Sequence, residues 1–501
     1  MAGLKSSLKI NTIFNAFYQI LALLVPLITT PYISRTLGAN SIGQYSFFYS
    51  IITYFTLVVT FGFTDYGTKR IAETRENISE KSLSFFSIYF SKLLFGFFCL
   101  LIYFLFSILF FSTYDLTFVL VFSLYIISVM IDPVFFFQGE EKFISICIKN
   151  SLLKLLSTVL IFVFVKSPND LTIYTIILAS SQLISTISLF FSFRKSDLKI
   201  VRFKDLKIVE SIKKSFPYFI PALAISLFTY LNQTLLGLLV NDNLESGYYG
   251  QAIKVINILA TLAASLSIIM LSRISYLVKK GDLTEVERKI SQTFEAFWVL
   301  SLPLCFGLIS INSIFTPLFF GEGYSKCVLL IYILSPTVIF SPLNGLFGSL
   351  YFRPQNKIWI QTIAIFISSI VNILLSLILM PSLKSTGACI ARLVAELVQL
   401  PVLIIFSRTT IKPKTLIKTL WKPLLSSVSM AIILLALKWL LEIYIANKTF
   451  ILIIIIISGI LIYGIMEIFL KEEIIISNLR NIANKIKTKI SKNWIRKKNF
   501  L

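Results

Sequence analysis

Histidine does not occur among the 501 residues. Its absence removes Ser-His and Cys-His catalysis, His-ligated metal sites and a histidine pH switch. Charge is scarce as well. Charged residues make up 14% of the chain and hydrophobic residues 56%, against about 25% and about 45–50% in soluble domains. That balance excludes a soluble enzyme and a disordered chain. The five cysteines, Cys99, Cys147, Cys305, Cys327 and Cys389, are odd in number and form no CxxC pair, so they read as buried free thiols. No GxxxxGK[ST] phosphate loop is present, and nothing else in the sequence calls for a cofactor.

What remains is a run of long apolar segments with short polar interruptions. Each membrane crossing needs roughly 20 apolar residues. The pattern predicts about fourteen spans, near residues 11–34, 43–65, 83–111, 116–137, 143–165, 170–193, 216–240, 247–272, 291–315, 326–350, 358–380, 386–407, 421–445 and 449–470. The fold class expected is therefore an all-α polytopic membrane protein. The apolar stretch at the N-terminus is long enough to be a retained span, not a cleaved signal.

The excess of cations, 47 Lys+Arg over 24 Asp+Glu, orients the set. With the N-terminus in the cytoplasm, Lys69, Arg70, Arg75, Lys81, the run from Arg194 to Lys214, Lys279, Lys280 and the basic tail after Lys471 fall on one side. Only Arg35, Lys166, Lys326, Lys384 and Lys448 fall on the other. By the positive-inside rule both termini are cytoplasmic. The tail reads as a segment lying on anionic lipid, and no nucleic-acid partner is expected.

An internal repeat runs at an offset of about 203 residues by direct comparison of the strings. ANSIGQYSFF (39–48) parallels NLESGYYGQA (243–252), which matches Gly43 with Gly247. KRIAETRENISE (69–80) parallels SRISYLVKKGDL (272–283), which matches Arg70 with Arg273. Copies six spans apart share one orientation, a parallel repeat. The expected division is a six-helix lobe over 1–200, a second over 201–410, two further helices over 411–470 and a cytoplasmic tail over 471–501.

Three strings carry a resemblance: PLITTPYISRTLGANSIGQYSF (26–47), FGFTDYGTKRIAETREN (61–77) and FFFQGEEKF (135–143). They resemble the signatures of bacterial Wzx-type O-antigen and capsule repeat-unit flippases. That family lies in the multidrug/oligosaccharidyl-lipid/polysaccharide (MOP) exporter superfamily. The resemblance implies two six-helix lobes around a central cavity in the bacterial inner membrane. It also implies transport of undecaprenyl-pyrophosphate-linked oligosaccharide between leaflets, with membrane lipid, a polysaccharide polymerase and a chain-length regulator as expected partners.

Ionisable residues within spans are costly unless they face a cavity or a partner. Lys92, Lys154, Lys254 and Arg392 are such cations, and Arg35, Arg70 and Arg273 sit at span ends. Together they are the candidate contacts for an anionic headgroup, since Arg and Lys both hold phosphate. Asp65, Asp132 and Glu396 are the candidate coupling acids. Arg392 and Glu396, spaced i, i+4, either line the cavity or neutralise each other. Arg70 and Arg273 also fit simple topological anchors. Pro26 and Pro31 are the candidate hinge in the first span. Buried cations in excess of acids disfavour a drug/cation antiporter of the same superfamily. A peptidoglycan lipid-precursor flippase stays open. The short outward loops disfavour a glycosyltransferase or polymerase, so no enzymatic activity is expected.

Overall fold

The computed structural model describes residues 2–110, 115–194, 197–408 and 413–470. The basic tail over 471–501 lies outside the described residues. Every regular element described is a helix. Among the described residues eleven helices are long and apolar enough to cross a membrane, or twelve with one bent pair. The first of these divides at a break, and the long helix Asn243–Lys280 stands beside them, which is roughly consistent with the expected count of about fourteen.

In chain order the helices are α1 (Ala2–Thr60), α2 (Phe63–Glu73), α3 (Ile78–Phe110), α4 (Leu116–Ile131) and α5 (Val134–Gly139). Next come α6 (Phe143–Phe164), α7 (Leu171–Phe190), α8 (Ile208–Leu235), α9 (Asn243–Lys280) and α10 (Leu283–Phe320). The last are α11 (Ser325–Leu334), α12 (Thr337–Leu346), α13 (Ile358–Leu383), α14 (Ser385–Ser407), α15 (Pro413–Tyr444) and α16 (Lys448–Phe469). Each expected span falls on one of these or on a neighbouring pair.

The breaks differ from expectation in an instructive way. A loop is expected between the first two spans, around 35–42. The chain is helical there, and α1 is two helices joined at Gly38, with φ 74° and ψ 171°. Only glycine occupies that backbone region without strain. α1 runs through Pro26 and Pro31 without a break. In the tenth expected span, α11 and α12 meet at a 40° bend, where Pro336 precedes the second helix and removes a backbone donor.

The chain forms two compact units. The first holds Met1–Gln251, Phe319–Cys327 and Ile365–Arg392. Its core is strongly aromatic. Phe48, Phe118 and Phe122 pack with ring centroids 5.1–5.6 Å apart, and Tyr45 meets Tyr174 edge-on at 5.1 Å. A second cluster gathers Phe85, Phe135, Phe136 and Phe193. The second unit holds Ala252–Leu318, Val328–Ala364 and Leu393–Leu501. Ile314, Met430, Leu434, Ile451 and Ile455 form a core there. Tyr463 ties α16 to α10 by donating to the Val299 carbonyl at 2.9 Å.

Glycines set the close approaches in the first unit. A Cβ on Gly43 would lie within the van der Waals radius of the Asn243 carbonyl and 2.7 Å from the Gly247 nitrogen. A Cβ on Gly247 would meet the Ala39 carbonyl in the same way. Each glycine therefore abuts the residue four positions before the other, and the two repeat-related positions form one reciprocal contact. A second pair joins α2 to α5. Gly67 faces Phe135, with 2.6 Å left for a Cβ, and Gly139 faces Ile71, with 2.7 Å.

One end of this unit is tied by ion pairs. Lys81, 5% exposed, meets Glu140 at 3.2 Å. Lys142 bridges Glu140 at 3.6 Å and Asp197 at 3.0 Å. The Lys199 and Lys207 amides donate to Ser82 and Ser87 on α3, so the segment after α7 is strapped to that helix. Burial alone would lift the Asp197 carboxyl. The Arg194 N–H and the Lys142 ammonium outweigh burial and hold it below the ordinary 3.8. A depressed carboxyl stabilises the fold above its unfolded pKa and loses that contribution as pH falls through its folded pKa. Amide exchange in residues 197–207 is therefore expected to accelerate specifically as pH drops below 3.8. Asp197→Asn should show fast exchange already at neutral pH. A pH-independent pattern in wild type, beyond intrinsic exchange, would contradict this account of the strap.

Candidate functional site

A polar cavity of about 320 Å³ lies within the first unit. α6 contributes Asn150, Lys154 and Ser157, spaced i, i+4, i+7 and hence on one helical face. α7 contributes Ser181, Gln182, Ser185 and Thr186, and α1 contributes Tyr18. Asp132 enters at the break between α4 and α5. Ser185 donates to Asn150 Oδ1 at 2.5 Å, and Thr186 pairs with Ser128 at 2.9 Å. The Lys154 ammonium makes no hydrogen bond or ion pair among the described residues.

Asp132 does have a cation. Lys92 on α3, 1% exposed, donates its ammonium to the Asp132 carbonyl at 2.9 Å, and its charge acts on the carboxylate. Pro133 ends α4, and the carboxylate accepts the freed Val134 N–H at 2.9 Å, starting α5. The structure thus brings together three candidates from the sequence, Lys92, Asp132 and Lys154.

A second polar centre in the same unit joins α8, α13 and α14. Asn232 donates to the Ala388 carbonyl at 3.2 Å and accepts from Ser376 at 3.3 Å. Arg392, 7% exposed, donates to the Phe228 carbonyl at 2.9 Å and lies 4.3 Å from the Phe228 ring centroid, a cation–π distance. Near the N-terminus of α9, Glu245 receives the Lys326 ammonium at 2.6 and 2.7 Å and the Ser385 hydroxyl at 2.5 Å.

The remaining candidates lie apart. Arg35 is exposed, with its stem against Gly321. Asp65 is exposed in the first turn of α2. Arg70 is paired with Glu80 at 2.5 Å and Glu73 at 3.7 Å. In the second unit, Lys254 is half-buried on α9 and Arg273 is exposed on the same helix. Glu396, 1% exposed, accepts from Asn344 at 3.0 Å.

Sequence reasoning missed Tyr18, Asn150, Gln182 and Ser185, and it missed Glu245. A signal existed for the first group: amides and hydroxyls recur at helical spacing on α6 and α7, inside otherwise apolar spans. The Glu245–Lys326 pair joins residues 81 positions apart, and no local pattern announces it.

The fold defines an all-α polytopic membrane protein with charged residues on its long apolar helices. The chain belongs to the family described as Polysaccharide biosynthesis protein, whose model it matches over residues 8–275. Two relatives, from Escherichia coli (strain K12) and Shigella dysenteriae, are each called "Putative O-antigen transporter". The first is 25% identical over 81% of this chain and 97% of its own. The second is 23% identical over 60% and 75%. Among solved structures, the lipid II flippase MurJ in an inward closed conformation superposes with a TM-score of 0.76 at 20% identity. That match covers 93% of this chain and 99% of MurJ. An inward-facing multidrug resistance MATE transporter of the MOP superfamily gives 0.58 at 15% identity, over 79% and 95%. The resemblance to Wzx-type flippases read from the sequence stands on these matches.

Proposed function

We infer that this protein is a flippase that moves undecaprenyl-pyrophosphate-linked oligosaccharide, an O-antigen or capsule repeat unit, from the cytoplasmic to the periplasmic leaflet. The observation that carries the reading is the set of cations held on membrane-spanning helices: Lys92, Lys154, Lys254 and Arg392. Cations kept at that depth suit an anionic headgroup. The family match and the named O-antigen transporters support the same substrate class. In this reading both termini are cytoplasmic, two six-helix lobes over 1–200 and 201–410 alternate access, and the polyprenyl tail stays in lipid. Asp65, Asp132 and Glu396 are the acids available for ion coupling. A polymerase and a chain-length regulator are its expected partners downstream.

Charge reversal tests it. Lys92→Glu, Lys254→Glu and Arg273→Glu are each expected to cut surface polysaccharide at least tenfold, about 1.4 kcal/mol of lost transport, in a strain that depends on this gene. Each variant must first be shown to reach the membrane. Normal surface polysaccharide in all three would sink the assignment of these cations to the translocation path.

A further inference from the structure

Around the connection from α7 to α8 the chain carries large apolar side chains that the unit leaves uncovered. Phe191 is 87% exposed, Phe203 67% and Val209 64%. Their level in the membrane follows from α3 and α7. α7 is 20 residues long, about 30 Å at a rise of about 1.5 Å per residue, which is the thickness of the hydrocarbon core. It ends at Phe190, whose ring centroid lies 6.3 Å from that of Tyr89 on α3. From Ser91 to the end of α3 at Phe110 is again about 30 Å. The exposed large apolar residues of α3, Ile78 apart, begin at Phe90 and continue through Leu94 and Phe97. Residues 89–91 of α3 therefore mark one boundary of the hydrocarbon core.

The connecting segment leaves that boundary and returns to it. The Lys199 amide donates to Ser82 at 2.8 Å, and Ser82 lies roughly 13 Å along α3 from Ser91, on the water side. Phe203, which opens the turn Phe203–Asp205, comes back to Phe90, with ring centroids 5.5 Å apart. As α8 starts, the Ile208 carbonyl accepts from Ser91 at 3.3 Å. Arg194, Lys199, Arg202 and Lys204 are exposed, and their side chains make no ion pair among the described residues. Asp197 is buried against Lys142, which leaves Asp205 as the one exposed acid between the two helices. We propose that this segment rests on the membrane surface, with Phe191, Phe203 and Val209 at the hydrocarbon boundary and Arg194, Arg202 and Lys204 on the phosphates of anionic phospholipid. The headgroup layer is roughly 5–7 Å deep on each side. Arg202 and Lys204 flank Phe203, and their long stems carry the charges into that layer while the ring stays at the boundary. Exposed apolar groups mark an interaction surface, and their level here selects lipid over an acidic protein as the partner. None of these contacts uses a cation assigned to the translocation path.

Quenching of a bimane probe tests this on the full-length protein in nanodiscs of phosphatidylcholine with a minority of phosphatidylglycerol. The native cysteines are buried, so the probe goes to an introduced thiol, at Phe203→Cys or, as the water-side reference, at Lys199→Cys. The probe at position 203 should be quenched by phospholipid carrying a nitroxide near the headgroup, less by one carrying it near the chain end, and weakly by aqueous iodide. The probe at position 199 should be quenched mainly by iodide. At position 203 nitroxide phosphatidylglycerol should act at a mole fraction at least about fivefold lower than nitroxide phosphatidylcholine, the effect of a single cation near an anionic surface. Adding Arg202→Gln and Lys204→Gln should reduce that preference and keep the quenching. Size-exclusion elution checks that each variant is folded, and Phe191→Cys carries the probe at the same level if Phe203→Cys is not. Iodide quenching as strong at 203 as at 199 would overturn the membrane contact. Protection from both iodide and nitroxide lipid would put protein on this surface and overturn lipid as its partner. Equal quenching by the two nitroxide lipids, or an unchanged preference without Arg202 and Lys204, would overturn the role of the cations.

Discussion

Gly43→Val is expected to abolish accumulation of folded protein, and Gly247→Val to do the same. Overpacking a well-packed interior costs about 1–3 kcal/mol where neighbours can yield, and more where they cannot. Here the obstacle is backbone. The Asn243 carbonyl blocks a side chain at Gly43, and the Ala39 carbonyl blocks one at Gly247. A carbonyl inside a helix cannot rotate away, so the two helices must separate. That separation would also disturb the bond from Gln251 to Ser34, at 2.8 Å. Gly43→Ala should already lower the thermal midpoint in detergent. Gly345→Ala is the contrast, because no atom lies within 4 Å of its Cβ position; it should be neutral or stabilising by up to about 1 kcal/mol, the propensity difference between glycine and alanine in a helix. Equal yield and midpoint for Gly43→Val and wild type would show that the contact is looser than described.

The second large effect is expected at Lys92. A hydrogen bond from a charged donor contributes about 1.5–3 kcal/mol, and Lys92 is a buried ammonium that donates to the Asp132 carbonyl beside the carboxylate. Lys92→Met leaves the Asp132 carboxylate with its Val134 N–H but without its cation. Asp132→Asn leaves the ammonium with its carbonyl acceptor and should cost less. The double variant should recover most of the loss, and the coupling from the complete cycle measures the pair itself. Equal and additive losses would mean that the two charges do not interact, and the cavity would then hold an uncompensated acid beside Lys154.

The helices were legible because membrane spans are written in bulk apolarity. Ile358–Leu383 and Lys448–Phe469 can be located from hydropathy alone. The bends were legible only in part. Pro336 marks a real one, whereas α1 passes through Pro26 and Pro31 and turns at Gly38. Proline constrains its own φ and removes one donor. A reversal of direction needs torsions that glycine alone permits, and hydropathy carries no torsional information.

The strings that carried the family resemblance have a packing role in this structure. YGTKRIAE lies on α2 and FFFQG on α5. Gly67 and Gly139 are where those helices meet, Thr68 donates to Gln138 at 3.0 Å, and Arg75 pairs with Glu141 at 3.3 Å. Lys92 and Asp132 could be listed from the sequence but not joined, since they lie 40 positions apart. Arg70 looked like a site residue by position, yet its partners Glu73 and Glu80 follow within ten residues, so its pairing was open to local reading.

Gly38 joins the two halves of α1 with no intervening chain. Two torsions of one unhindered residue therefore carry the whole change of direction between the Ala2–Leu37 arm and the Ala39–Thr60 arm. Gly43, five residues beyond the elbow, sits against the start of α9, so the second arm is held by packing where the elbow itself is not.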